Sequence, residues 1–272
     1  MSIDPLMIVE LGLLGLVGGF LAGLLGIGGG MILVPFTSAM LTARGVAPGL
    51  AVKMAIATSM ATIIFTSISS VRAHHKRGAV RWDIVKSLVP GIVLGAMVAS
   101  LGVFALLKGA ALYFVFSLFV TFSAVQMFLD RKPAATRQLP GPAGLLGVGS
   151  VIGFLSGLAG AGGGFVSVPF MTWCNVAIHS AVATSAGLGF PIAVANVVGY
   201  VIAGHGLTDL PPYSLGYVWL PALAALASCS VLMAPLGAKA AHALPVKKLK
   251  RAFAVVLLSL AVYMFYKGVQ AL

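Results

Sequence analysis

The residues best suited to bind a ligand in this sequence are two runs of three glycines. Residues 23–36 read GLLGIGGGMILVPF, and residues 157–170 read GLAGAGGGFVSVPF. A glycine run interrupts a helix, and the helix that restarts after it begins with backbone N–H groups that have no intrahelical partner. These groups and the positive end of the helix dipole attract anions. The alternative is a sharp turn that only permits close packing. The repetition favours a substrate-binding role for Gly28, Gly29, Gly30, Gly162, Gly163 and Gly164.

Hydroxyl groups follow each glycine motif at matching positions. Thr58-Ser59 ends the segment AIATS, and Thr184-Ser185 ends the segment AVATS. Each hydroxyl can donate a hydrogen bond to an oxyanion. The alternative is a hydrogen bond to a carbonyl of the same helix, which is common in membrane helices. Because the pair recurs after both glycine motifs, we predict that all four residues contribute to substrate binding.

Two cations and one amide extend the predicted site. Lys53 and His179 each lie five residues before the threonine of their pair. They are predicted to supply positive potential, although a side chain at a helix end can also simply reach the membrane interface. Asn196 lies eleven residues after Ser185, about three helical turns away and on nearly the same face. Its counterpart is Ser70, and hydrogen bonding between helices is the alternative role for Asn196.

Other kinds of chemistry have little support in the sequence. It contains no Ser-His-Asp set, no cluster of metal ligands and no phosphate loop, and Cys174 and Cys229 match no metal or redox spacing. We therefore predict a protein that is not an enzyme and needs neither a cofactor nor a metal. Glu10, the one carboxylate well inside an apolar stretch, could carry a coupling proton or lie at the outer interface.

The composition indicates that membrane helices position these residues. Of 272 residues, 60% are hydrophobic and 8% are charged, whereas soluble domains carry about 25% charged residues. The net charge of +12 comes from short basic runs between apolar stretches, which favours the positive-inside rule over nucleic-acid binding. Eight stretches approach the roughly 20 apolar residues that one membrane span needs: 6–25, 50–71, 84–107, 109–129, 142–160, 180–204, 214–236 and 252–270.

The chain consists of two related halves. The glycine motifs share nine of fourteen positions at an offset of 134, and the Thr-Ser segments match at an offset of 126. A weaker third match aligns Leu88-Val89-Pro90 with Trp219-Leu220-Pro221. We predict a first transmembrane repeat over 1–129, a basic cytoplasmic linker over 130–142 and a second repeat over 143–272.

The basic residues predict opposite orientations for the two repeats. After the first Thr-Ser helix the loop contains Arg72, Lys76, Arg77 and Arg81, whereas residues 205–213 contain no Lys or Arg. One helix later the bias reverses, because the first half has only Lys108 there and the second half has five basic residues between 239 and 251. By the positive-inside rule the repeats are inverted. The predicted fold is all-α and polytopic, with five membrane segments in each inverted repeat and external termini. The first two segments form a hairpin broken by glycines.

These motifs also resemble a known family. GLLGIGGGMILVP, GLAGAGGGFVSVP, AIATS and AVATSAGLGFPIAVANVVGY are similar to segments of the sulfite exporter TauE/SafE family, also called the toluene-sulfonate uptake permeases. The resemblance covers essentially the whole chain. It implies transport of sulfite, organosulfonates or related small anions across the bacterial inner membrane, often outward. It also implies roles for Gly28–Gly30, Pro35, Thr58, Ser59, Gly162–Gly164, Pro169, Thr184 and Ser185.

Taken together, the residues and the resemblance predict a multi-pass secondary transporter that exports a small anion. Alternating access would take place around a central site at the repeat interface. The alternative is an anion channel, which shares the binding chemistry but needs no alternating gates. The expected partners are the anion and the lipid bilayer, without nucleic acid. The identity of the anion, the coupling ion and the oligomeric state, with a homodimer as one alternative, stay open.

Overall fold

The computed structural model describes residues 4–26, 28–129, 137–243 and 246–272, without the side chains of 242–250. Within these ranges each half forms five α-helices, and Trp82–Leu106 includes a π-helical segment at Val98–Val103. A short antiparallel hairpin, β1 (Ser214–Leu215) and β2 (Val218–Trp219), precedes the ninth helix. The helices are α1 (Pro5–Leu25), α2 (Gly30–Ala43), α3 (Pro48–His75), α4 (Trp82–Leu106), α5 (Gly109–Leu129), α6 (Pro142–Ala159), α7 (Gly164–Trp173), α8 (Ile178–Ala203), α9 (Leu220–Ala243) and α10 (Val246–Gln270).

Eight of these helices are long and apolar enough to cross a membrane, and they correspond to the eight predicted apolar stretches. The remaining two, α2 and α7, have 14 and 10 residues. At 1.5 Å per residue they measure about 21 and 15 Å, which is less than the roughly 30 Å of a bilayer core. The prediction of a polytopic helical protein with a glycine-broken hairpin at the start of each half is confirmed.

In both hairpins, left-handed glycines end the first helix and precede the second. Gly26 ends α1 with φ 68°, and Gly160 ends α6 with φ 61°. Gly29 precedes α2 with φ 75°, and Gly163 precedes α7 with φ 76°. Residues with a Cβ adopt this conformation only with strain. The glycine runs therefore determine where each hairpin turns.

The eight extra residues between the motifs of the first half lengthen its helices. The first four lie in α2, which has 14 residues where α7 has 10. The other four lie at the start of α3, since Thr58 follows Pro48 by ten residues and Thr184 follows Ile178 by six. The loops between these helices, 44–47 and 174–177, have equal lengths. In the first half, α2 is thus about one turn longer than α7, and α3 begins about one turn earlier than α8 relative to its Thr-Ser pair.

Glycines bring helices from opposite halves into backbone contact. In α1, a Cβ on Gly19 would lie 2.4 Å from the Ser230 oxygen of α9. In α6, a Cβ on Gly153 would lie 2.2 Å from the Ile92 oxygen of α4. Small residues four positions apart allow this approach in membrane bundles. The first helix of each half therefore packs on the fourth helix of the other, while α3 packs on α8 and α5 packs on α10.

The helix packing gives a different alignment of the fourth helices from the third sequence match. A Cβ on Gly15 would meet the Leu226 oxygen, and a Cβ on its counterpart Gly149 would meet the Leu88 oxygen. Leu88 is therefore equivalent to Leu226, at an offset of 138, and not to Trp219. The alignment of Leu88-Val89-Pro90 with Trp219-Leu220-Pro221 is wrong. A three-residue similarity is too short to specify the register of a helix.

The inverted orientation of the halves remains a prediction, as do the repeat boundaries, and residues 130–136 of the predicted linker lie outside the described residues. Two charges at the predicted external side are close together: the Arg44 Nη2 lies 3.8 Å from the Glu10 Oε2. This contact places Glu10 at the end of the bundle where α2 ends and α3 begins, which agrees with the interfacial alternative for this carboxylate.

Candidate functional site

The two glycine turns touch each other at the centre of the bundle. A Cβ on Gly28 would lie 3.0 Å from both the Cα and the N of Gly162. A Cβ on Gly30 would lie 2.0 Å from the Gly160 oxygen. Any side chain at these positions would push the turns apart. Glycine is therefore required here by close approach as well as by backbone conformation.

Two short helices begin at this contact without a side-chain cap. Gly29 precedes α2 and Gly163 precedes α7, and neither N-terminus receives a hydrogen bond from a capping side chain. The first backbone N–H groups of a helix have no intrahelical acceptor, and the helix dipole gives this end a partial positive charge. Two such ends close together form an arrangement that attracts an anion.

The serines of the Thr-Ser pairs hold the turn of the opposite half. The Ser59 Oγ donates to the Gly160 oxygen at 3.2 Å, and the Ser185 Oγ donates to the Gly26 oxygen at 2.9 Å. In the second half alone, the Ser167 hydroxyl also donates to the Ser185 Oγ at 2.9 Å. These bonds satisfy carbonyls that end α1 and α6, and they bring both serines to the glycine turns.

The threonines point elsewhere and bind the start of a fourth helix. The Trp219 N–H donates to the Thr58 Oγ1 at 3.0 Å, and the Arg81 N–H donates to the Thr184 Oγ1 at 3.0 Å. Trp219 directly precedes α9 and Arg81 directly precedes α4. Both threonines are fully buried. Their hydroxyls serve as helix caps across the repeat interface, a structural role that the sequence pattern does not reveal.

A small cavity lies beside the glycine contact. The space open to the centre of a water molecule is about 10 Å³, close to the minimum for one ordered water. Its polar lining comes from α3 and α8, and its backbone lining comes from both turns. The residues that matter here are Gly28, Gly162, Thr66, Ser67, Ser70 and Ser185. No lining side chain is charged, so an anion here would meet only neutral dipoles.

Thr66 and Ser67 were not among the predicted site residues. Their hydroxyls donate to carbonyls of their own helix, Thr66 to Thr62 at 3.0 Å and Ser67 to Ile64 at 3.1 Å. The spacing of Ser59, Thr66 and Ser70 in the sequence could have indicated these residues, because it places hydroxyl groups along one side of α3. Ser70, known from the sequence as the counterpart of Asn196, lines the cavity.

Several buried polar atoms near the site have no partner among the described residues. They include the Ser70 Oγ, the Ser156 Oγ and the Asn196 Oδ1. The Asn196 side-chain NH2 donates to the Ile192 backbone oxygen at 2.9 Å, so the Asn196 Oδ1 is the side-chain atom without a partner among the described residues. Buried polar atoms normally have a partner. Unpaired ones close to the glycine turns are consistent with a polar path or a bound water.

The predicted cations lie outside the cavity lining. The Lys53 Nζ donates to the Ala105 oxygen at 3.2 Å and lies 5.7 and 5.5 Å from the ring centroids of Phe104 and Tyr217. Burial raises the pKa of Tyr217, so its ring is neutral beneath the ammonium group. His179 is exposed near the start of α8. Lys53 is less exposed than His179 because α3 begins one turn earlier.

Comparison with known proteins identifies the family of this chain. The family described as sulfite exporter TauE/SafE matches residues 11–264. This range contains both glycine turns and both Thr-Ser pairs. The chain belongs to the TauE/SafE family.

The chain is also similar to proteins named as probable membrane transporters. A probable membrane transporter protein of Haemophilus influenzae is 37% identical over 94% of this chain and 97% of its own length. A second, from Methanocaldococcus jannaschii, is 30% identical over 86% of this chain and 85% of its own length. A third, from Bacillus subtilis, is 28% identical over 96% of this chain and 98% of its own length. No solved structure matches the chain significantly.

Together the TauE/SafE match and the eight spanning helices identify a multi-pass membrane transporter. The membrane location predicted from composition is confirmed, and the bacterial relatives support the inner membrane. The predicted resemblance to the TauE/SafE family is confirmed over nearly the whole chain. The role of the predicted site residues in substrate binding stays a prediction.

Proposed function

We propose that this TauE/SafE protein exports a small anion of the sulfite or organosulfonate class, using the cavity at the two glycine turns as its central site. The observation that carries the proposal is the contact of the two glycine turns at Gly28 and Gly162, each two residues before the uncapped start of a short helix, beside a cavity with hydroxyl groups and no charged side chain. Neutral donors and helix dipoles stabilise an anion without holding it too tightly to be released.

Dimensions favour a carrier over an open channel. The cavity has space for about one water molecule, so an anion with three oxygens enters only when the helices around it separate. Such separation, first towards one side of the membrane and then towards the other, is alternating access. Inverted repeats can exchange their conformations, which gives two arrangements of the same hairpins. The packing of the first helix of each half on the fourth helix of the other, α1 on α9 and α6 on α4, supports this mechanism.

Ser185 is the sharpest point at which to test the site. Its hydroxyl lines the cavity and donates to the Gly26 oxygen at 2.9 Å. Ser230 offers a matched control, because its hydroxyl is also buried and donates to a glycine oxygen of α1, Gly15, at 2.8 Å. Only Ser185 belongs to the cavity. We expect Ser185→Ala to lower sulfite flux roughly tenfold, because its hydroxyl would turn from the Gly26 oxygen to the anion when the helices separate, and one good hydrogen bond to an anion has about this value. Ser230→Ala should retain the flux.

The measurement is counterflow of radioactive sulfite in proteoliposomes, with thermal melting of each variant in detergent as a folding control. Saturable uptake that is stimulated by sulfite on the opposite side supports a carrier, whereas ohmic single-channel currents would support a channel. Sulfate, thiosulfate, sulfoacetate and taurine as competitors define the substrate class. Equal flux in wild type and Ser185→Ala, with both proteins folded, would remove the cavity from consideration as the binding site.

The direction of transport needs a separate assay. Cells that express the protein should retain less sulfite after loading than cells with an empty vector, because export depletes the cytoplasmic pool. The opposite outcome, greater accumulation from the medium, would identify the protein as an importer and would leave the cavity assignment intact.

A further inference from the structure

A second and much larger cavity lies between α3 and α9, away from the glycine turns. Its volume is about 670 Å³, against about 10 Å³ at the glycine turns. The Ser69 Oγ donates to the Val231 oxygen at 2.8 Å, and the Arg77 guanidinium donates to the Ala238 oxygen at 3.2 Å. These bonds join the two helices along one side and leave a groove, here called the basic crevice, lined by both.

The walls of the basic crevice change from apolar to cationic along both helices. On α3, Phe65 and Ile68 come before Arg72 and Lys76. These residues lie three or four positions apart and therefore share one helix face. On α9, the apolar Val231, Pro235 and Leu236 come before Lys239. The two helices run in the same direction here, so both cationic ends lie at one end of the groove.

The cations of the basic crevice lack acidic partners in the part of the chain that the structure describes. The two ion pairs found there are Arg44 with Glu10 and Arg81 with Asp83. Arg72, Lys76, Arg77 and Lys239 are exposed. By the charge bias of the loops they belong to the cytoplasmic end of the bundle. A cluster of cations without counter-ions at this level attracts a ligand with negative charge.

The equivalent surface of the other half shows that the fold does not need these charges. Helix offsets of 126 and 138 relate the face between α3 and α9 to the face between α8 and α4. At that face, the counterparts of Arg72, Lys76 and Lys239 are the exposed apolar residues Val198, Ile202 and Leu101. The two equivalent helix pairs thus pack in the same way with apolar or with basic side chains at these positions. The basic side chains are therefore not required for helix packing.

We propose that the basic crevice binds an anionic phospholipid of the cytoplasmic leaflet, with the phosphate at the cationic end and an acyl chain along the apolar walls. The side chains change from apolar at Phe65 to cationic at Lys76, eleven positions later, which is about 16 Å of helix. That length suits a headgroup and the first part of an acyl chain. Basic pockets between membrane helices on the cytoplasmic side are suited to such headgroups. Exposed Phe65 and Leu236 would be covered by the chain.

The test compares lipid retention by the purified full-length protein in native mass spectrometry. The protein is mixed with equal amounts of phosphatidylglycerol and phosphatidylcholine that carry the same acyl chains. Wild type should retain phosphatidylglycerol preferentially. The variant Arg72→Gln/Lys76→Gln/Lys239→Gln should lose this preference roughly tenfold or more, since each basic residue near the membrane adds to the attraction. Arg77 is kept because it bonds to α9.

A second triple variant controls for total charge. Lys86→Gln/Lys108→Gln/Lys267→Gln removes three positive charges outside the basic crevice and should retain the preference. Equal losses in both variants, or no loss in the first, would overturn the proposal. Inorganic phosphate is then added to wild type, with chloride at equal ionic strength as reference. Displacement by phosphate alone would show that the crevice takes free anions instead of lipid, and this would also overturn the proposal. None of these readouts depends on transport.

Discussion

In each half of this TauE/SafE protein, a serine of the third helix binds the glycine that ends the first helix of the other half. Ser59 reaches Gly160, and Ser185 reaches Gly26. Around these matched bonds the halves differ. Ser185 also accepts a hydrogen bond from Ser167, and the position equivalent to Ser167 in the first half holds the apolar Leu33. The serine contacts to the glycine turns are therefore repeated, while the side chain at the Ser167 position is not.

A further pair shows the same contrast one turn away. His74 Nε2 lies 3.2 Å from the Gly23 oxygen, and the Tyr200 hydroxyl donates to the Gly157 oxygen. Gly23 and Gly157 occupy equivalent positions, as do His74 and Tyr200. The imidazole of His74 and the phenol of Tyr200 thus contact equivalent backbone oxygens. The comparison teaches that the repeat preserves where a polar group is needed and leaves its chemistry free to specialise.

The largest expected effect tests the repeated backbone contacts. Gly19→Ala and Gly153→Ala would each place a Cβ within 2.4 and 2.2 Å of an opposing backbone oxygen. We expect each substitution to lower the free energy of unfolding by about 3 kcal/mol, the upper part of the range for overpacking. Gly147→Ala is the control, because nothing lies within 4 Å of its Cβ, and it should stabilise the helix slightly. Unfolding in a detergent titration measures all three, and a tolerated Gly19→Ala beside a disruptive Gly153→Ala would break the equivalence of the halves.

An intermediate effect separates the two threonine caps. Thr58→Ala leaves the N–H of the buried Trp219 without its acceptor. Thr184→Ala affects the N–H of Arg81, whose hydrogen bond is only partly buried, so that water has better access to it. We expect losses in unfolding free energy of about 2 kcal/mol for Thr58→Ala and about 0.5 kcal/mol for Thr184→Ala. Thr58→Ser and Thr184→Ser keep the hydroxyl and should melt near wild type. Equal losses would mean that the two caps are equally shielded.

The smallest expected effect compares two buried serines without hydrogen-bond partners among the described residues. Ser70 lines the cavity and Ser156 does not. Removing an unsatisfied hydroxyl should leave stability unchanged or raise it by about 1 kcal/mol in both alanine variants. Only Ser70→Ala should raise the KM for the transported anion, by roughly two- to tenfold. Concentration dependence of counterflow measures this. A raised KM in Ser156→Ala would extend the site beyond the cavity.

Much of this fold was predictable because its determinants are local. Each apolar stretch contains a helix, although the stretch predicted over 214–236 begins with the β-hairpin and its helix runs over Leu220–Ala243. Each glycine run forms a hairpin, since a left-handed φ and a missing Cβ are properties of single residues. The third match failed because helix register is not local. Leu88 pairs with Leu226 through the backbone oxygens that Gly149 and Gly15 contact, and a three-residue similarity carries no information about those contacts.

The sequence alone determined the membrane helices, the duplication, the glycine turns and the family of this protein. Tertiary structure decided that the serines bind the opposite turn and that the threonines cap the start of α9 and α4. It also placed Lys53 against Ala105 and two aromatic rings instead of the cavity. The physical reason is that a side chain's partner depends on the rotation and register of helices 50 or more residues away in the chain. Helical periodicity and backbone conformation depend only on neighbouring residues.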